Sequence, residues 1–119
     1  MKQYFMLVAL LFVLVLAACS SDSSGSSKEL TMQDFITAFE NEGVEVDDSE
    51  KPFYDMIKAK DGIIFYIDGS PVKIYEYATV KAIKDGEEAL PIVSEWDKNG
   101  RFVLETSNEK AIKIFNSVK

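Results

Sequence analysis

The sequence predicts an α+β fold: a small two-layer domain with a mostly antiparallel four-stranded sheet and packed helices. Three observations lead there. Short runs rich in β-branched and aromatic residues alternate with Gly- and Asp-containing turns over the second half of the chain. Apolar stripes at helical spacing, each opened by a capping signal, stand at either end of those runs. The order hairpin then helix occurs twice, so two ββα units account for everything from residue 63 onward. The chain has 119 residues, enough for one small core. It carries 13 basic and 20 acidic side chains, a net charge of −7, which is a poor match to nucleic acid. It has no histidine and one cysteine, so neither an internal disulfide nor a Cys/His zinc site can form.

Taken in chain order, the sequence predicts a leader over 1–18, a lipidated cysteine with a flexible tether over 19–28, and a single domain over 29–119. Lys2 precedes an uncharged, largely apolar stretch that ends Leu16-Ala17-Ala18-Cys19. Fifteen or so uncharged residues fall short of the roughly 20 needed to span a bilayer. Small residues before a cleavage point suit the narrow cleft of a signal peptidase. The four residues Leu16-Ala17-Ala18-Cys19 resemble the lipobox of bacterial lipoproteins. The resemblance implies that Leu16, Ala17 and Ala18 are read by the peptidase and that Cys19 takes a diacylglyceryl group as the first mature residue. Such an anchor buries acyl methylenes at about 0.8 kcal/mol each. Residues 20–27, SSDSSGSS, lack apolar surface to offset ordering entropy and read as a spacer averaging about 17 Å from Cys19 to Lys28.

The first helix is signalled by Thr31 as N-cap with Asp34 three residues on, and by Leu30 and Phe35 at the spacing of a hydrophobic staple. Met32, Phe35, Ile36 and Phe39 form its stripe, and Gly43 ends it. Residues 44–46 suit a short strand, and Pro52 suits the first position of a helical turn. Residues 63–67 and 72–77 make a hairpin about the Asp68-Gly69-Ser70-Pro71 turn. A short helix over 79–85 stops at Gly86. Residues 92–96 and 101–105 form a second hairpin about Asp97-Lys98-Asn99-Gly100, and Thr106 with Glu109 caps a last helix whose inner face is Ala111, Ile112, Phe115 and Val118. The tetrapeptide Lys-Ala-Ile-Lys occurs at 81–84 and again at 110–113, an offset of 29. Helices on one face of the sheet are the expected packing.

Both faces of the first hairpin carry apolar groups. Ile63, Phe65 and Ile67 alternate with Ile64 and Tyr66, and Val72 and Ile74 with Lys73, Tyr75 and Tyr77. Two readings follow. Either the N-terminal helix covers the second face through Phe35 and Phe39, or Tyr66, Tyr75 and Tyr77 form an exposed docking strip.

The lipobox with a serine tether, the stretch DGIIFYIDGSPVKIYEY and the later FVLETSNEKAIKIF are similar to small uncharacterised Bacillus-type lipoproteins of Gram-positive bacteria. That resemblance implies a location, the outer face of the cytoplasmic membrane with the lipid on Cys19 in the bilayer, and no activity. The residues themselves offer little catalytic chemistry. Without histidine, no serine or cysteine has its usual base. The acidic groups at Asp47, Asp48 and Glu50 and at Glu87 and Glu88 read as solvated loop charge. Asp97 and Asn99 read as turn formers, because the third ligand and closing Glu of a calcium loop are missing. The expectation is a non-enzymatic, lipid-anchored binding protein of the cell envelope, with no cofactor, no metal and no nucleic acid, and with a membrane or envelope protein as partner. Two alternatives are a superinfection-exclusion or immunity lipoprotein and a solute-binding accessory of a transporter.

Overall fold

The computed structural model describes residues 29–119. The leader, Leu16, Ala17, Ala18, Cys19 and the tether lie outside the described residues. Helix α1 (Met32–Asn41) begins as expected. Thr31 Oγ1 accepts from the Asp34 amide at 3.3 Å, and the Asp34 carboxylate accepts from the Thr31 amide at 2.8 Å. It ends in a Schellman motif: Gly43 at φ +83° lets its own amide reach the Glu40 carbonyl and the Val44 amide reach Phe39. Residues 44–46 form no strand, and Val44 instead turns into the core behind the helix end. The helical turn near Pro52 is a 3₁₀ turn at Tyr54–Ile57, two residues later than its proline suggests.

Strands β1 (Asp61–Ile67) and β2 (Ser70–Glu76) pair antiparallel about Asp68 and Gly69, both with positive φ, which is the two-residue turn whose twist matches a hairpin. Helix α2 is Ile83–Ala89, so Gly86 lies inside it and does not end it. Of residues 92–96, expected as a strand, 92–95 belong to a second 3₁₀ turn, Pro91–Glu95, and Trp96 follows it in extended backbone. Pro91 starts that turn with its φ already helical and with no amide to leave unpaired. The third strand is the three-residue β3 (Asp97–Asn99), and the reversal to β4 (Phe102–Thr106) is Gly100-Arg101. Helix α3 (Glu109–Ser117) is capped by Asn108, whose side chain accepts from the Ala111 amide at 3.0 Å, while Thr106 accepts from the Asn108 amide. The expected cap at Thr106 was two residues early because the strand keeps Thr106 in its ladder.

The sheet order is β1-β2-β4-β3, antiparallel throughout, so the fold class and the two successive ββα units stand. The helices do not all share one face. Helices α1 and α3 pack together on the first face, over Ile63, Phe65, Ile67, Val72, Ile74, Phe102 and Leu104. Phe35 stands 4.6 Å from Phe102 and 4.9 Å from Phe115, and Phe39 meets Phe65 edge-on at 4.9 Å. Phe35 and Phe39 therefore cover the first face, not the second. The second face carries a smaller cluster: Tyr75, Tyr77 and Val103 from the strands, covered by Ile57, Ala59, Ile83 and Val93. The offset of 29 is not a structural register. It equates Ile74 with Val103, which point to opposite faces, and buried Ile83 with the half-exposed Ile112.

Gly86 fixes the contact between α2 and the first 3₁₀ turn. A Cβ there would strike the Tyr77 hydroxyl and lie 2.5 Å from the Ile57 carbonyl oxygen. Alanine is ordinarily the better helix former by about 1 kcal/mol. Here Gly86→Ala is expected to destabilise the domain by about 1–3 kcal/mol through overpacking, read as a lower urea midpoint. An unchanged midpoint would mean that this contact is loose.

Candidate functional site

The three tyrosines of the expected docking strip do not share a fate. Tyr66 is 50% exposed, but Tyr75 is 4% and Tyr77 0% exposed, so the strip is not a surface. The reason lies in the connection between β2 and β3. Residues 77–96 fold back over the second face, and the turn at 54–57 closes it from the other side. Tyr77 Oη donates to the Ile57 carbonyl at 2.7 Å, and burial pushes its pKa up to about 12, with the Glu87 carboxylate adding to the rise. Tyr75 is raised as well, first by burial and then by its bond to Glu105. Tyr66, on the exposed edge strand, donates to Glu50 Oε1 at 3.3 Å, and that carboxylate raises its pKa.

The covering is incomplete, and what it leaves open is the candidate site. Directly opposed residues in an antiparallel pair share a face. Tyr66 opposes Pro71; Ile64, Lys73 and Glu105 form the next row; Gly62, Tyr75 and Val103 the row after. The Tyr75 row lies under the covering segments. The two rows before it do not, and there Pro71, Lys73, Glu105, Thr106 and Ser107 line a shallow cleft of about 230 Å³ together with Trp96.

Trp96 is the wall of this cleft, and Tyr75 and Lys98 hold it. Its ring stacks on Tyr75 with centroids 5.8 Å apart and planes 8° from parallel. Lys98 Nζ donates to the carbonyls of Val93, Ser94 and Trp96 at 3.1–3.3 Å, closing the end of the 3₁₀ turn that carries the tryptophan, and pairs with Glu87 at 3.6 Å. The floor is ordered in the same way. Tyr75 Oη donates to Glu105 Oε1 at 2.7 Å, and Lys73 Nζ lies 3.7 Å from that same oxygen. Buried Tyr75 thus braces both the tryptophan plane and the carboxylate, a supporting part in place of the docking part expected of it.

The sequence reading missed Trp96, Lys73 and Glu105. Lys73 could have been found, because the alternation of β2 puts it on the tyrosine face. Trp96 could not, because its position depends on a 3₁₀ turn read as a strand.

A second polar centre lies at the other end of the sheet. Arg101 donates from Nε to Glu29 at 2.9 Å, from Nη1 to Glu76 and to the Tyr77 carbonyl at 3.1 Å, and from Nη2 to the Leu30 carbonyl at 3.1 Å. Its guanidinium also lies 4.8 Å from the centre of the Phe102 ring. The adjoining depression, about 490 Å³, is lined by Glu29, Leu30, Val80, Gly100, Arg101 and Lys119. Its cation is fully engaged, so this end pins the start of the domain to the sheet. The first described residues thus meet the sheet at the Glu76 end of β2, and the floor of the Trp96 cleft runs from Lys73 to Pro71, about 10–17 Å along the strand.

Asp47 and Asp97 have structural duties. Asp47 accepts from the side chain and amide of Ser49, which lowers its pKa, and Asp97 accepts from Asn116 at 2.8 Å. Asn99 donates to the carbonyls of Phe115 and Val118, tying β3 to α3, so Asp97 and Asn99 are strand residues and not turn formers. Among the described residues no group of three acidic or cysteine side chains converges to hold a metal ion, and no helix is long and apolar enough to cross a membrane. Compared with protein-family profiles, with curated proteins and with solved structures, the chain matches none.

Two outcomes test this electrostatic layout. Arg101→Met leaves the Glu76 carboxylate, 13% exposed, with only Lys60 at 3.7 Å, and is expected to cost about 2–3 kcal/mol in chemical denaturation. Glu29→Gln, at the exposed end of the same network, should cost under about 1 kcal/mol. For Tyr77, the folded-state pKa near 12 lies above the unfolded value near 10. Its contribution is complete below pH 10 and lost as pH rises toward 12, so the melting temperature should fall across that window. Tyr77→Phe should flatten part of that fall while lowering stability at neutral pH.

Proposed function

We propose that the protein is a lipid-anchored, non-enzymatic binding protein of the bacterial cell envelope, held by the lipid on Cys19 at the outer face of the cytoplasmic membrane. Its binding surface is the open end of the second sheet face: Tyr66, Lys73, Trp96 and Glu105. The observation that carries this reading is the braced tryptophan. A large aromatic side chain is fixed by Tyr75 and Lys98 at the edge of a sheet area that no other segment covers. The indole also packs against the apolar cluster beneath it, so Trp96 is held by the core and lines the cleft at once.

The anchor reading rests on Leu16-Ala17-Ala18-Cys19 and the serine tether. Tethering of this kind confines a domain near the membrane and raises its effective concentration toward envelope partners. The acidic surface would be repelled by anionic headgroups, so the lipid does the holding.

Crosslinking on intact cells expressing the tagged full-length chain, read by mass spectrometry, tests both halves. A partner captured by the wild type should be lost in Cys19→Ala, which removes the anchor, and reduced in Trp96→Ala and in Tyr66→Ser, which alter the face. Replacing Tyr75 or Tyr77 by serine is expected to unfold the domain, since both rings are core. Blank capture by wild type and variants alike would overturn the binding reading.

A further inference from the structure

We infer that the Trp96 cleft binds a neutral glycan, taking one pyranose ring against the partly buried indole that lines it. This rests on the reading of the open sheet face as a binding surface and names its ligand class. The chemistry of the lining selects among candidates. Lys73 and Glu105 stand beside each other with Ser107, so the cleft offers an ammonium, a carboxylate and a hydroxyl within one small depression of about 230 Å³, the Thr106 hydroxyl being taken by the Pro71 carbonyl and the Asn108 amide. Donors and acceptors are both present, and the two formal charges cancel. A ring bearing several hydroxyls can satisfy both kinds of group at once.

Other ligand classes fit less well. A phosphate or other anion would meet the Glu105 carboxylate, and the nearby Tyr66 hydroxyl is already turned to a second carboxylate, Glu50. An apolar ligand would strand the Lys73–Glu105 pair away from water, at a cost its own burial would have to exceed. An extended peptide gains most of its affinity by adding a strand to an open edge. Here β2 is paired on both sides from Val72 to Glu76, with β1 and with β4, so the floor of the cleft has no free ladder.

The geometry of the wall favours a flat, weakly polarised partner. The C–H face of a sugar ring is such a partner for an aromatic plane, provided the plane is held still. Tyr75 behind the indole and Lys98 under its backbone hold it before any ligand arrives. The shallow form matches a ring within a chain whose neighbours continue past both ends. Tyr66, half-exposed and next to Pro71 in the first row of the open face, is placed to meet an adjoining ring.

Trp96 is the sole tryptophan, so its fluorescence reports on this cleft alone. The test is titration of the full-length chain, in a polyoxyethylene detergent free of sugar headgroups, with the β-linked tetramer of N-acetylglucosamine. The expected result is a saturable blue shift and intensity change of the Trp96 emission. Glu105→Gln and Lys73→Met should each weaken the half-saturation concentration by about tenfold, as loss of a hydrogen bond to a charged group predicts. Their circular dichroism should be unchanged, because both side chains are half-exposed.

No emission change up to about 10 mM, weaker than any useful single-site affinity, would overturn the glycan assignment. So would a shift that both variants leave intact, since the sugar would then sit elsewhere. A shift produced instead by a basic peptide control would reassign the face to a protein ligand and equally overturn it. These outcomes are separable from the broader reading. Capture of a partner on cells that depends on Trp96, with no response to the sugar, would leave a binding protein whose ligand is not a glycan.

Discussion

The structure depends on one constraint: its two central strands are apolar on both faces. Strand β2 sends Val72 and Ile74 one way and Tyr75 the other, and β4 sends Phe102 and Leu104 one way and Val103 the other. A sheet of this kind must be covered twice. Among the described residues only two helices, α1 and α3, have long apolar stripes, and both go to the first face, where five phenylalanines gather. The second face has to be covered by what remains. That is the connection between β2 and β3 together with the short turn before β1, neither of which is a long helix.

This division of labour explains the details of the second face. Gly86 is required because α2 must approach the Tyr77 hydroxyl and the Ile57 carbonyl closely. Tyr77 is present as a tyrosine because its ring fills the space between α2 and the first 3₁₀ turn while its hydroxyl satisfies a carbonyl there. Pro91 and Lys98 shape the second 3₁₀ turn, one at its start and one across its end carbonyls. The covering segments are too short to reach the Pro71 end of the sheet. The open area and its tryptophan wall follow from that shortfall, so the same limitation that leaves the core small also leaves the cleft beside Trp96.

The two ends of the sheet are correspondingly different in chemistry. At the Glu76 end, Arg101 gathers two carboxylates and two carbonyls and lies against Phe102, a closed network that fastens the first residues of the domain to its central strands. At the Pro71 end the charges are paired but about one-third exposed, Tyr66 is open and Trp96 is only partly buried. A closed network resists competition from ligands, whereas a half-solvated pair can exchange water for ligand hydroxyls at little cost. The closed network and the half-solvated pair thus fall at opposite ends of one strand.

The sequence by itself determined the α+β class, the capping box at Thr31 and Asp34, the stop at Gly43, and the first hairpin with its Asp68-Gly69 turn. These are local: each depends on residues within four positions of one another, and their chemistry is legible wherever they occur. It also carried the alternation that puts Tyr66 and Lys73 on one face. Only the tertiary structure decided which face each helix would take, that residues 91–95 would coil and not extend, and that Tyr75 and Tyr77 would be buried while Tyr66 stayed open. An apolar run such as Ile92-Val93 suits a strand or a tight helical turn equally well. The choice between them was made by the need to cover a second apolar face with a short connection, a need that exists only once β2 and β4 have paired.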